Sequence, residues 1–391
     1  MGYDRILIVL KGFWPKREEK FLVVEVFPHG ARGVLLCLDE ERRLTARKVW
    51  PQVNSLVDFF KKWQPQLATW QVIVSVAPGL SAAVTLPRVF TRNHVGQPLA
   101  PEELENFLGK VVSQSFNEVR AEASRELQVR EMDTVLVESS VKSFQVDGHT
   151  IVDPIGFRAK SVAAELELTF VPRALYESLR VFSDRQHTFF FTDSLRAKQA
   201  WLVRAMPSPT AAAIVGRDRL LLVGSKRDKK SGYSTIKRAL PWSACTLTDA
   251  VGAAWGVSTP MAEKIYHAYL AGEYSPPVRL KLTEILEPTV SSFFREIEKS
   301  HPGKNIFLAS ETPLPFTMPF SRQGMRFIDL PLESLLNQVG VEVSLKNLGL
   351  GKAQIFQALA PFVEFYYDKS DKQINHWLRR RLHWLGAVTT A

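Results

Sequence analysis

Apolar residues crowd together in "FLVVEV" and again in "GVLLC", and the turn-forming "PHG" separates them, so residues 21–37 predict two buried strands joined by a tight turn. A third apolar run, "WQVIVSVAP" at 70–78, reads as another strand, and its succession with helical patterns argues for an α/β plan. From Pro101 the period changes. Leu104, Phe107, Leu108, Val111 and Val112 recur at helical spacing, Phe116 and Val119 extend the stripe, and proline suits the first turn. Next, Asp147-Gly148 between two apolar-rich runs predicts a hairpin, and "DPIG" at 153–156 a second turn. Val162, Ala164, Leu166, Leu168 and Phe170 then alternate with Glu165, Glu167 and Thr169, which is a strand with one wet face. One helix and three strands thus form a compact unit from about residue 86 to 170.

Strands resume at "QAWLVRAM" and "TAAAIVGRDRLLLVG". Thr248 can cap one helix that Gly256 ends; Thr259 can cap another, with Pro260 in its first turn and Gly272 beyond its end. "LTEILEPTVSSFFREIEKS" predicts a further helix bent at Pro288, and "NIFLASETPLPF" a strand entering a proline-rich loop.

The chain has 391 residues, 46% hydrophobic and 23% charged, which is globular and long enough for two or more cores. No run reaches the ~18–20 apolar residues of a spanning helix. "ILIVL" at 6–10 is closed by Lys11 and has no small-residue cleavage site, so a cytoplasmic protein is expected. Cys37 and Cys245 are too few for a disulfide framework or a cysteine zinc site. The formal net charge is +10, and Lys372, Arg379, Arg380 and Arg381 lie in a tail without acids. On a helical projection of that tail, Trp377, Leu378, Leu382, Trp384 and Leu385 fall in one arc around Ile374, while His376, Arg379, Arg380 and His383 take the other side. Arg381 points into the apolar face and must snorkel. The layout is that of an interfacial helix on an anionic membrane. Its rival is a terminal helix docked on the protein's own core, against which stand the spacer "DKSDK" and the unpaired basic face.

Four segments resemble the bacterial division protein family FtsA. "SFQVDGHTIVDPIGFRAKSVAAELELTFV" is similar to the stretch leading from that family's inserted 1C subdomain back into its actin-like body. "LPWSACTLTDAVGAAWGVSTPMAEKIYHAYLAG" matches its later motif at Thr248, Asp249, Ala262 and Glu263. "NIFLASETPLPF" sits where actin-like proteins have a strand entering a glycine loop, and "INHWLRRRLHWLG" resembles the membrane-targeting tail. The resemblance implies a duplicated actin-like (ribonuclease H-like) α/β fold with an inserted 1C-like, SHS2-type α+β subdomain. The division is then 1–85 and 171–200 for the first half, 86–170 for the insert, 201–365 for the second half and 366–391 for a linker and tail.

Actin-like ATPases hold phosphates on strand-turn-strand loops where glycines let backbone N–H groups approach and an aspartate handles magnesium or water. Aligned to that pattern, Glu25 and Phe27 replace the aspartate and glycine of the first loop. Arg204 and Met206 replace those of the second, leaving only Thr210 matching, and Ser310 and Glu311 replace the glycine pair of the adenosine loop. The expectation is a pseudo-ATPase with no cofactor; a register in which the first two loops lie elsewhere would restore ATP and magnesium. "NLGLGK" at 347–352 lacks the spacing of a P-loop and reads as a turn, as do Asp147, His149 and Asp153, which flank hairpins rather than a metal. No Ser-His-Asp context is present.

The resemblance implies a peripheral membrane adaptor whose partners are the C-terminal peptide of an FtsZ-like protein, further copies of itself and the anionic inner leaflet, with one contact surface near 245–300. Three rivals stand beside it: a PilM-like platform of a type IV pilus or secretion machine, which needs no tail; a working actin-like ATPase; and a nucleic-acid binder using the basic 225–238 loop.

Overall fold

The computed structural model describes residues 18–371 except 68, 183–188, 207–208, 229–231, 301–302, 323, 340–341 and 345–349. The basic 225–238 loop and the 347–352 turn fall partly outside that description. The interfacial helix read at 374–385, with Ile374, Trp377, Leu378, Arg379, Arg380, Arg381, Leu382, Trp384 and Leu385, lies wholly outside it.

Two sheets repeat one plan. In the first, β1 (Glu19–Phe27), β2 (Gly30–Leu38) and β3 (Arg43–Val53) form an antiparallel meander. The helix α1 (Leu56–Leu67) then leads to β4 (Gln71–Val76), which returns parallel to β1. The order is completed by β9 (Phe190–Asp193), parallel to β4, and by β16 (Glu342–Ser344), parallel to β3. In the second sheet β10 (Ala211–Val215), β11 (Leu220–Asp228) and β12 (Gly232–Leu240) make the meander. There β13 (Asn305–Ser310) is parallel to β10, β15 (Met325–Asp329) is parallel to β13, and β14 (Phe320–Arg322) closes the edge. A meander whose first strand pairs parallel with the strand after a crossover, made twice in one chain, is the duplicated ribonuclease H-like arrangement of the actin-like fold.

Period two in β1 divides its side chains. Leu22, Val24 and Val26 pack outward against α1 and α3 (Arg173–Arg180), whereas Phe21 and Val23 face inward. The inner core is shared by both sheets: Ile73, Ala212, Ile214, Leu221 and Val223 close on α4 (Ser194–Ala205) and α9 (Lys352–Asp371). Trp201 stacks on Phe356 at 4.9 Å, and Phe21 meets Phe362 edge-on at 5.0 Å. A second core lies under α5 (Cys245–Trp255), α6 (Thr259–Ala271) and α7 (Pro276–Lys299) on the far face of the second sheet.

Between β4 and β9 the chain inserts an α+β unit: β5 (Ala82–Thr91), α2 (Pro101–Leu127), β6 (Thr134–Val146), β7 (His149–Ile151) and β8 (Ser161–Pro172), in sheet order β5-β8-β6-β7. The Asp147-Gly148 turn has φ of +47° and +86°, as a two-residue hairpin demands.

Several expectations are corrected. The insert has four strands and starts before residue 86, because β5 is a strand despite Pro87; it is an edge strand, where a missing N–H costs nothing. "QAWLVRAM" is the end of α4 rather than a strand. The second half does not run to 365: α8 (Leu332–Asn337) is followed by β16 and α9, which return to the first sheet. Residues 366–371 continue α9 instead of forming a linker. The helix α7 begins at Pro276, six residues before the expected start, and α5 at Cys245, so Thr248 is a residue of its first turn whose hydroxyl donates to the Cys245 carbonyl at 2.9 Å rather than a cap.

Candidate functional site

Past the ends of β4 and β13 the two lobes touch: Pro78, beyond β4, accepts from Arg219 in the turn after β10, and Glu311, beyond β13, faces Arg32 of β2, and this junction is called the cleft below. Because Glu25 shares the inward parity of Phe21 and Val23, β1 delivers a carboxylate to this place. The Pro28-His29 turn pairs Phe27 with Gly30 and therefore Glu25 with Arg32 across the hairpin. Arg32 Nε donates to Glu25 Oε2 at 2.8 Å. Its Nη1 lies 2.9 Å from Glu311 Oε1, just past the end of β13, and its Nη2 donates to Gln357 Oε1 on α9. The guanidinium also lies 4.8 Å from the centre of the Phe27 ring.

On its other side Glu25 receives Lys198 Nζ at 2.8 Å and the Ser194 hydroxyl at 3.1 Å, both from α4. Asp193 positions that helix by capping it, accepting from the Arg196 N–H at 2.8 Å. Glu25 is 3% exposed and Lys198 0%. Burial alone would raise the Glu25 pKa, but Lys198 and then Arg32 outweigh it and hold the carboxyl at about 2. Burial likewise opposes the charge on Arg32, and Glu25 and Glu311 overcome it, raising its pKa. Ser194 and Lys198 stand at i and i+4, and Lys198 Nζ donates to the Ser194 hydroxyl as well as to the Glu25 carboxylate.

The structure thus brings Glu25, Phe27 and Glu311 together, with Ser310 beside them, its hydroxyl turned to the Thr312 carbonyl. Gly30, the nearest glycine of this hairpin, has φ +146°, and a Cβ there would lie 3.0 Å from the Val53 carbonyl oxygen; close approach of β3 accounts for it.

Arg204 and Met206 are not in the second loop. They end α4, where the Met206 N–H bonds to the Leu202 carbonyl at 3.0 Å. The second strand-turn-strand is β10–β11, with its turn at 216–219. There Gly216 is present, but the residue two before it is Ile214, buried in the inner core, so the carboxylate is missing in this register too. The Gly216 N–H is engaged by the Arg219 carbonyl at 2.8 Å, and the Gly216 and Arg217 carbonyls accept from Ala244 and Cys245 at the start of α5. Thr210 sits buried just ahead of β10, its carbonyl accepting from the Ser225 N–H at 2.7 Å.

Among the described residues, the Arg32–Glu311 ion pair crosses the cleft here, as does Arg219 Nη1 donating to the Pro78 carbonyl at 2.5 Å. The sequence reading missed Arg32, Lys198, Ser194 and Gln357. The position of Arg32 was available by counting outward from the Pro28-His29 turn, while Lys198, Ser194 and Gln357 come from helices whose approach no local pattern encodes. Among the described residues no three His, Cys, Asp or Glu side chains are grouped to hold a metal, and no helix is long and apolar enough to cross a membrane.

No protein-family model matches the chain, and no curated protein sequence matches it. Among solved structures it is similar to a PilM-PilN type IV pilus biogenesis complex, at 13% identity over 90% of this chain and 97% of that one, with a TM-score of 0.43. It is also similar to the cytoplasmic domain of EpsL, an inner membrane component of the type II secretion system of Vibrio cholerae, at 12% identity over 82% and 94% of the two chains, TM-score 0.31. A third is glucokinase from Balamuthia mandrillaris in complex with glucose, at 9% identity over 92% and 98%, TM-score 0.38.

Proposed function

We propose that this chain is a non-catalytic actin-like scaffold, a body kept for its surfaces. The observation that carries the reading is the clasp in the cleft. Where ATP and magnesium would need a carboxylate facing solvent and glycines facing phosphate, Glu25 is consumed by Lys198 and Arg32, and Glu311 reaches across to the same arginine. These residues do not fit the nucleotide.

The finer reading is an FtsA-type adaptor at the inner membrane face, with an FtsZ-like peptide and further copies of the chain as partners. It rests on the four sequence segments above, the tail among them. A PilM-like platform is the second reading; it uses the same body and insert and has no need of the amphipathic tail.

Co-sedimentation with anionic liposomes separates the two. We expect the full chain to pellet, and a chain ending at Ser370 and the Trp377→Glu/Trp384→Glu variant to stay in solution, equally with and without Mg-ATP. If all three pellet or all three stay soluble, the adaptor reading fails and the platform reading replaces it.

A further inference from the structure

Glu167 lies on β8 of the insert and is 2% exposed. Its carboxylate meets a cation from each of the three structural units. From the insert itself, Lys142 reaches Oε1 at 3.0 Å; the register with β8 shifts between Val141 and Ser143, a bulge of the kind that re-aims a side chain. From the first lobe, Arg196 on α4 places Nε 3.4 Å from Oε1, a charge contact rather than an aligned hydrogen bond. From the second lobe, Lys237 on β12 donates to Oε2 at 2.7 Å, beside the Thr85 hydroxyl at 3.2 Å. Arg196 is itself fixed: its Nη1 donates to Thr169 Oγ1 at 2.9 Å and its Nη2 to Thr192 Oγ1 at 3.1 Å, and Glu364 of α9 lies 2.8 Å from Nε.

The three contacts are not equivalent. Lys142 shares a sheet with Glu167, and the first lobe is joined to the insert by two chain crossings, β4 to β5 and β8 to α3. The second lobe has no such covalent neighbour, and Lys237–Glu167 is an ion pair that ties it to the insert.

We propose that Glu167 is a three-way latch in which the Lys237 bond fixes the orientation of the insert relative to the second lobe, so that the insert and the clasped cleft move as one. With Lys237 gone, Arg196 and Lys142 still neutralise the buried carboxylate. The fold survives, and the orientation is what is lost.

The test uses the full chain with Cys37→Ala and Cys245→Ala, spin labels at Val152→Cys on the insert and Met261→Cys on α6, and a distance distribution by pulsed electron resonance. We expect one narrow distance in this parent and in Lys237→Arg. It should broaden in Lys237→Met and in Lys237→Gln while circular dichroism is unchanged, and stay narrow in Lys142→Met, which removes a partner inside the insert. A distribution in Lys237→Gln as narrow as the parent's overturns the proposal, as does equal broadening in Lys142→Met, which would make the effect one of local charge.

Discussion

Glu25 concentrates the electrostatics of the cleft in one side chain. Its pKa of about 2 in the folded chain lies below the ordinary 4.5, so ionised Glu25 stabilises the fold above pH 4.5, and that contribution is lost as the pH falls from 4.5 toward 2. The shift corresponds to about 3 kcal/mol. In acid titrations followed by urea unfolding, we expect Glu25→Gln to be less stable than the parent at neutral pH and to lose this part of the pH dependence. A slope unchanged in the variant would show that Glu25 is not so held. Lys198→Met leaves the buried carboxylate one cation short and should cost about 3–5 kcal/mol. Glu25→Leu combined with Lys198→Met should cost less than the sum of the single changes, since the pair acts as a unit; simple additivity would contradict the ion pair.

Among the elements, α4 and α9 join the two sheets. Phe362→Ala should remove about 3–5 kcal/mol, read as a lower urea midpoint, because its ring fills the core that both lobes share. Gly224 in β11 is required by close approach: with φ +143°, a Cβ would lie 2.1 Å from the Thr210 carbonyl oxygen, so Gly224→Ala should cost on the order of 3 kcal/mol. A variant that melts with the parent would refute that fit. Legibility in the sequence followed the same physics. The β1–β2 hairpin was readable because a proline-started turn separates two apolar runs, and α2 because its stripe persists for several turns. The helix α4 was mistaken for a strand because Trp201, Leu202 and Ala205 form too short an apolar run to reveal a period, and that error carried the second loop to Arg204 and Met206. The edge strand β5 was hidden by Pro87. The clasp was half legible: Glu25 and Glu311 stood out as replacements, but Lys198, Ser194 and Gln357 reach them only through helix packing.

At the scale of the molecule, two like lobes close on each other through packed helices and a buried ion-pair cluster, with an inserted subdomain latched to both. On the scaffold reading proposed above, a body of this kind presents fixed surfaces and is expected not to cycle with a nucleotide. The direct measurement is calorimetric titration of Mg-ATP into the full chain, up to millimolar concentrations, alongside Arg32→Met with Glu311→Gln. We expect no saturable heat from the parent. A single saturable site in the parent, weakened or abolished in the paired variant, would contradict the scaffold reading and return the chain to the nucleotide-binding actin-like proteins.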